Sequence, residues 1–325
     1  MKFSVSLGMW QDRPPEEAIA TARAAEAAGF PELWIGEMAT WDAFALGTAI
    51  GLTTTRITLT FGPLPVTVRD PAMLAMGVAS VAALTKRPTG IALGTSSDVV
   101  VRAWHGRSRD RAAAALADSA VAVRQLLDGD KSAVDGVVGS QGYRLRLAAP
   151  KSPLTIAAFG ARAVEVAARY ADRMVINLVS PATAAVLVKA VHDASERLGS
   201  TPPPVAAWVV GAADPSPATI EQLRRGVLGY LAAPGYSDMF RAEGFGELVD
   251  FASTKPHPRE LLAAIDPAVI SAVGLVGTSE EIAAKIQAYA AAGVDELAVV
   301  PAATDDDPAG AATLTALARQ FGDEL

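Results

Sequence analysis

The chain has 325 residues, 51% of them hydrophobic, and a net charge of −7. That much apolar material supports a large core and excludes a disordered chain, and the length fits one barrel-sized domain or two smaller ones. The absence of cysteine removes disulfides, thiolate metal sites and a cysteine nucleophile; three histidines (His105, His192, His257) are too few for a multi-histidine metal centre, and the acidic balance argues against a general nucleic-acid binder.

The N-terminal Met1-Lys2-Phe3-Ser4-Val5 enters directly into a strand predicted over Phe3–Trp10. No signal peptide precedes it and no apolar run reaches membrane-spanning length, so a soluble, cytoplasmic protein with no membrane partner is expected. Pro15–Ala28, rich in Ala, Glu and Arg, reads as a helix stopped by Gly29. Leu33–Gly36 is a second strand, Phe44–Thr53 a helix, and Ile57–Phe61 a third strand running into Gly62-Pro63-Leu64-Pro65. Pro71–Thr85 is a helix with proline at its start. Gly90–Leu93 is the fourth strand, ending in Gly94-Thr95-Ser96-Ser97-Asp98, and a long helix is predicted over Val99–Leu127, carrying Trp104-His105-Gly106-Arg107. Residues 130–153 break the rhythm, and their glycines (Gly136, Gly139, Gly142) suggest a small hairpin. Leu154–Ala158, Met174–Asn177 and Val205–Val210 are strands five to seven, alternating with helices over Ala161–Tyr170 and Ala182–Leu198. Residues 214–272 form an irregular, mostly helical insertion. Ser279–Ala292 is a helix capped by Thr278 or Ser279, Glu296–Val300 the eighth strand and Pro308–Phe321 the last helix. Eight strands alternating with helices, without an early Gly-x-Gly-x-x-Gly, predict an α/β fold of the closed (β/α)8 TIM-barrel type. It is one domain over 1–325 with excursions at 130–153 and 214–272.

Parallel α/β folds place ligand sites at the carboxyl ends of their strands. Three predicted strand ends share small or hydroxyl residues: Gly62, Thr95-Ser96-Ser97 and Gly160. Small residues allow close approach to the backbone, and free amides at a helix start suit anions. The other reading of the strand-four end is an ordinary turn with Ser or Asp as N-cap.

Several segments resemble the bacterial luciferase-like flavin and deazaflavin oxidoreductases. They are Gly29-Phe30-Pro31-Glu32-Leu33-Trp34-Ile35-Gly36-Glu37, Arg56–Gly62, Ile156-Ala157-Ala158-Phe159-Gly160-Ala161-Arg162, Val276–Ile282 and Ala291–Leu297, and they span nearly the whole chain in family order. The chain is most similar to the deazaflavin subgroup related to methylene-tetrahydromethanopterin reductase. The resemblance implies coenzyme F420, an 8-hydroxy-5-deazaflavin with a phosphate and an oligoglutamate tail. It also implies a homodimer and a small-molecule substrate that the sequence does not name.

On this resemblance Gly62-Pro63 is a bulge with a cis peptide behind the deazaflavin ring; a proline makes cis cheaper, and the competing reading is a trans proline ending a strand. Ala158, Phe159, Gly160 and Ala161 meet the ring, and the helix start holds the phosphate. The Ala161–Val164 amides should point outward, with Arg162 adding a cation where the helix dipole disfavours one. Thr95, Ser96 and Ser97 are the matching polar contacts; Asp98 reads equally as a ligand or an N-cap. Arg102, Arg107, Arg109 and Arg111 read as a solvated helix face or as a steering patch for a polyanionic tail. Glu37 ends strand two, where relatives carry an acid facing the active site, often followed by histidine. Here Met38 takes the histidine position, beside the cofactor. Trp10, Met38 and Trp41 read as a substrate wall or, for the tryptophans, as core packing. Glu37, Trp41 and His105 are the catalytic candidates, His105 reading as a hydrogen-bonding or capping group ahead of an acid. The expected function is hydride transfer between F420 and a small organic substrate. The alternatives are an FMN-dependent monooxygenase of the same fold, a deazaflavin-binding protein without turnover, and an unrelated phosphate-binding barrel; the last is disfavoured because no predicted strand end offers a lysine.

Overall fold

A computed structural model describes residues 1–8, 10, 13–37 and 39–322. Its strands are β1 (Lys2–Ser6), β2 (Glu32–Ile35), β3 (Thr58–Pro65), β4 (Thr89–Gly94), β5 (Ala133–Val134), β6 (Ser140–Gln141), β7 (Leu154–Ala157), β8 (Arg173–Asn177), β9 (Val205–Ala213), β10 (Gly274–Gly277) and β11 (Glu296–Pro301). Eight of them pair in parallel around a closed ring, β1-β2-β3-β4-β7-β8-β9-β11 and back to β1. These are the eight expected strands. The expected hairpin is β5 paired antiparallel with β6. Among the described residues no helix is long and apolar enough to cross a membrane.

Three expectations are corrected. The first strand ends at Ser6, not Trp10, because the side chain of Trp10 turns back onto Gly8. The Trp10 indole lies there, and a Cβ on Gly8 would come within 2.0 Å of its Nε1. The single helix over 99–127 is instead a π-helical turn, Val99–Trp104, and a separate α-helix, Ala112–Asp128. Left-handed residues at Gly106 (φ 60°) and Arg111 (φ 55°) interrupt it. Beyond the insertion, β10 is an extra strand. Val210 and Gly211 of β9 pair with both β10 and β11, so β10 takes the side of β9 that β8 occupies lower down.

Side-chain alternation divides the strands. Outward residues such as Leu33, Leu59, Ile91, Ile156, Met174 and Val299 are buried under the helices. Inward residues Trp34, Ala92, Val175, Ala206, Trp208 and Ala298 form a separate interior cluster with Ala157. At the amino end a polar network closes the barrel. The Arg173 guanidinium donates to Glu32 (2.7 and 2.9 Å) and to Glu296 (2.7 Å). It also lies 4.2 Å from the centre of the Trp34 ring. Ser4 Oγ donates to Glu296 (2.5 Å) and accepts from Trp34 Nε1 (3.0 Å). Burial works against the Arg173 charge, but the two carboxylates outweigh it and hold the guanidinium pKa above its ordinary value.

Candidate active site at the barrel mouth

At the carboxyl end the barrel interior is lined by small residues. The Gly62-Pro63 peptide is cis, and the β3–β4 register shifts between Phe61 and Leu64. Gly62 has φ 119°, and a Cβ there would lie 2.2 Å from the Ala92 carbonyl oxygen, so only glycine fits. A Cβ built on Gly94 would meet Pro63 Cβ at 3.3 Å and Ala157 Cβ at 3.4 Å. Pro63, Gly94 and Ala157 are thus neighbours in one low wall across three strands. Two inward polar groups of the barrel, the Ser6 hydroxyl and the Trp208 indole N–H, are buried without a partner among the described residues. Buried polar groups are normally satisfied, and a bound group with acceptors would satisfy these. A flat heterocycle carrying carbonyl and ring-nitrogen acceptors fits both features.

Beyond Ala158 and Phe159, Gly160 caps the helix Ala161–Tyr170 with no side-chain bond, and the space a Cβ would take there is open. The amides of this helix start are only half available. Ala163 and Val164 already donate to Gly160 O (2.9 and 3.1 Å), which corrects the expectation of four outward amides. Among the described residues those of Ala161 and Arg162 meet no backbone acceptor. Two open N–H groups with the exposed Arg162 suit an anion.

The strand-four turn is locally bonded. Asp98 holds the N-cap position but makes no side-chain cap bond, and Ser97 Oγ instead accepts from Val100 N (3.3 Å). Arg109 donates to Thr95 O and Thr95 Oγ1 (both 3.3 Å). Ser96 is exposed and left-handed (φ 55°). Asp98 pairs with Arg102 (3.4 Å) and, more distantly, Arg109 (4.0 Å), while Arg102 also reaches Asp110 (3.2 Å). Half of the arginine cluster is therefore tied to nearby acids or to Thr95. His105 is exposed at the end of the π-helical turn, and among the described residues no hydrogen bond joins its side chain to another candidate.

Glu37 follows β2 by one residue beyond Gly36. Both its oxygens accept from Arg69, through Nε (2.8 Å) and Nη2, and the same Nη2 reaches Asp42. The Glu37 bond, working against burial, raises the Arg69 pKa above its ordinary value. Burial pushes the Asp42 carboxyl up, but the Ala45 amide and Arg69 outweigh it and hold it below the usual carboxylate range. Asp42 caps the helix Ala43–Thr53, and Arg69 precedes Asp70, the cap of Pro71–Thr85, so this cluster ties the loops after β2 and β3. Met38 lies outside the described residues. Trp41 is 40% exposed, donates to Pro15 O (3.0 Å) and lines a cleft with Gly36 and Trp10. Trp10 donates to Pro301 O at the end of β11 (3.1 Å).

Sequence reasoning missed Arg69, although a cation just before a helix start carries the same signal that marked Arg162. It also missed the roof of the mouth. Asn177, the inward residue ending β8, donates to the hydroxyls of Tyr230 and Tyr236 (both 3.4 Å), and Tyr236 donates to Asn177 O (2.9 Å). Phe159, Tyr236 and Tyr230 meet in sequence, the first pair tilted at 4.7 Å and the second edge-on at 4.9 Å between ring centres. Burial, then Tyr230, pushes the Tyr236 hydroxyl above its ordinary pKa, so it stays protonated as a donor. Both tyrosines belong to the insertion, and only the polar end of the Val175-Ile176-Asn177 run hinted at a partner.

The sequence profile of the luciferase-like monooxygenase family matches residues 1–296. Among curated proteins, the chain is 25% identical over 222 residues to a 5,10-methylenetetrahydromethanopterin reductase of Methanolobus tindarius, covering 67% of this chain and 68% of that one. An F420-dependent secondary alcohol dehydrogenase solved with an F420-acetone adduct superimposes with a TM-score of 0.80 at 16% identity, over 100% of this chain and 99% of that one. The oxygenating constituent of 3,6-diketocamphane monooxygenase from Pseudomonas putida, solved with FMN, gives 0.70 at 18% identity, over 100% and 99%. At these identities the two structures attest the shared fold.

Proposed function

Because this chain belongs to the luciferase-like monooxygenase family, we propose that it is an oxidoreductase that moves a hydride between coenzyme F420 and a small organic substrate. The observation that carries this reading is the low wall of Pro63, Gly94 and Ala157 beside two orphaned buried donors, Ser6 and Trp208. In this reading the wall backs the ring, and Ser6 and Trp208 donate to its edge. Thr95, Ser96, Ser97 and Asp98 border it from β4, Ala158 and Phe159 from β7, and Glu37 and Met38 from β2. Gly160 lets the chain approach closely, and the Ala161 and Arg162 amides with the Arg162 guanidinium receive the phosphate. When bound, the cofactor supplies the hydride; the protein sets its distance and face and excludes water. Tyr230, Tyr236 and Trp41 then border the substrate space. Glu37 keeps Arg69 and the loops after β2 and β3 in place around the mouth. His105, exposed on its turn, has no role in this account.

The similarity in fold to an FMN-bound monooxygenase favours a second reading, FMN-dependent oxygenation. A deazaflavin lacks the ring nitrogen through which reduced flavin activates oxygen, so the chemistries separate experimentally. Protein with reduced F420 should return electrons to members of a panel of small carbonyl compounds without oxygen. Oxygen uptake with reduced FMN, and none of that transfer, would favour oxygenation. The helices Ala43–Thr53 and Pro71–Thr85 pack side by side and leave Leu52, Met73, Met76 and Leu84 exposed, an apolar face suited to the proposed homodimer. Sedimentation should show a dimer that Leu52→Glu weakens; a wild-type monomer would refute it.

A further inference from the structure

The helix Ala161–Tyr170 is short, 10 residues, and lies between two longer neighbours, Ala112–Asp128 with 17 and Pro181–Leu198 with 18. Its outer face is the floor of a surface groove of about 480 Å³. Arg162, Glu165, Val166 and Arg169 line that floor at i, i+3, i+4 and i+7, one helical stripe. Ala113 and Ala117 form a low bank on one side, and Arg197 stands on the other. The single acid, Glu165, is paired with Arg197 at 3.7 Å. Among the described residues neither Arg162 nor Arg169 makes an ion pair or side-chain hydrogen bond, unlike Arg102 and Arg109 above the strand-four turn. Three guanidinium groups against one carboxylate leave a groove of positive charge on a protein of net charge −7. Its upper end is Arg162, beside the two open amides of the mouth, and it runs along the helix for about 10 Å to Arg169.

We propose that this groove seats the polyanionic tail of the cofactor, with Arg162 at its entrance and Arg169 and Arg197 as the tail-binding residues. The proposal rests on the F420 reading above. Charge complementarity selects the occupant. The tail is a run of carboxylates leaving the phosphate, and the groove leaves the phosphate site with cations spaced along it. The alanines on the bank let an extended chain lie close to the helix, and Val166 and Tyr170 give its methylene groups an apolar surface.

The test is binding, read by fluorescence titration without turnover. Two probes are compared: the deazaflavin with its phosphate but no glutamate, and F420 with a long tail. Wild-type protein should bind the long-tailed form about three- to tenfold more tightly at low salt, as expected for two or three exposed charge pairs, and the advantage should shrink as salt rises. The Arg169→Ala/Arg197→Ala double variant should lose that advantage and keep the wild-type affinity for the tailless form. Arg169→Glu should make the long tail a disadvantage. Thermal melts check that these exposed substitutions leave the fold intact. Equal wild-type affinity for both probes, or an advantage that survives the double variant, overturns the tail groove and leaves the F420 reading standing. Failure of both probes to bind overturns the two together.

Discussion

Arg69 holds both oxygens of Glu37 and reaches Asp42 as well, with its guanidinium 5.3 Å from the centre of the Phe44 ring. A half-buried bidentate pair of this kind costs more to break than to replace, because the surviving partner is left desolvated. Glu37→Gln and Arg69→Met should each lower stability by about 1–3 kcal/mol, and the double variant by little more than either alone. Urea melts of the four proteins check this, and additive losses would show that the pair is not coupled. The proposed place of Glu37 beside the ring makes a different demand: turnover of Glu37→Gln should fall even at a temperature where the variant is fully folded. Glu26 is a second acid bound to many partners. It accepts from the amides of Thr55, Arg56 and Ile57 (2.9, 2.7 and 3.0 Å) and from Arg87 (3.2 Å). Burial pushes its carboxyl up, but these donors outweigh it and hold it down to about 2. An unfolded glutamate titrates at about 4.3. The folded state therefore binds the proton later, and the stabilisation is present above the unfolded value and lost as pH falls from there towards 2. Acid melts of Glu26→Gln should fall less steeply than wild type in that window; parallel curves would remove Glu26 from the acid response.

The elements written plainly in the chain are those with local punctuation. Thr278 and Glu281 form a reciprocal capping box, Asp70 caps a helix opening with Pro71, and Gly29 ends the first helix at φ 98°. Each is a side-chain or backbone preference acting within four residues, so pattern reading finds it. The break between Trp104 and Ala112 is hard to read because three of its seven residues are arginines, which suit a helix, and a lone Gly106 is tolerated inside a long helical pattern. β10 was hidden because four apolar residues become a strand only where β9 outlasts β8 and offers an open side. The roof of the mouth is less legible still: Gly235 (φ 82°) must lack a Cβ so that Phe159 can pack, a contact across 76 positions of chain that no local signal carries. The candidate site was legible at its glycine- and hydroxyl-rich strand ends, whereas its donors Ser6 and Trp208 look like ordinary strand residues until the barrel closes. At the start of the helix Ala161–Tyr170, Arg162→Ala should weaken F420 binding by about 1–3 kcal/mol, the range of a lost charge-assisted contact. Unchanged affinity at moderate salt would return Arg162 to a solvated surface role.

At the scale of the whole molecule the barrel is polar at one end and open at the other. Arg173, Glu32 and Glu296 close the amino end with one guanidinium between two carboxylates, so the interior is reached from the carboxyl-end mouth. Arg173→Met should destabilise the protein by about 3–5 kcal/mol by leaving one buried and one half-buried carboxylate uncompensated. A companion variant that also carries Glu32→Gln and Glu296→Gln should recover part of that loss, and equal melts for the two would show that charge is not the cause. The polar closure lies at one end of the strands and the proposed ligand site at the other, the division of labour usual in (β/α)8 barrels. What enters the mouth decides the function most directly. Parallel titration of the cofactor-free protein with F420 and with FMN, followed through its intrinsic fluorescence, should show saturable binding of F420 that equimolar FMN does not displace and that Ser6→Ala weakens. Preferential binding of FMN, or saturation by neither, would contradict it.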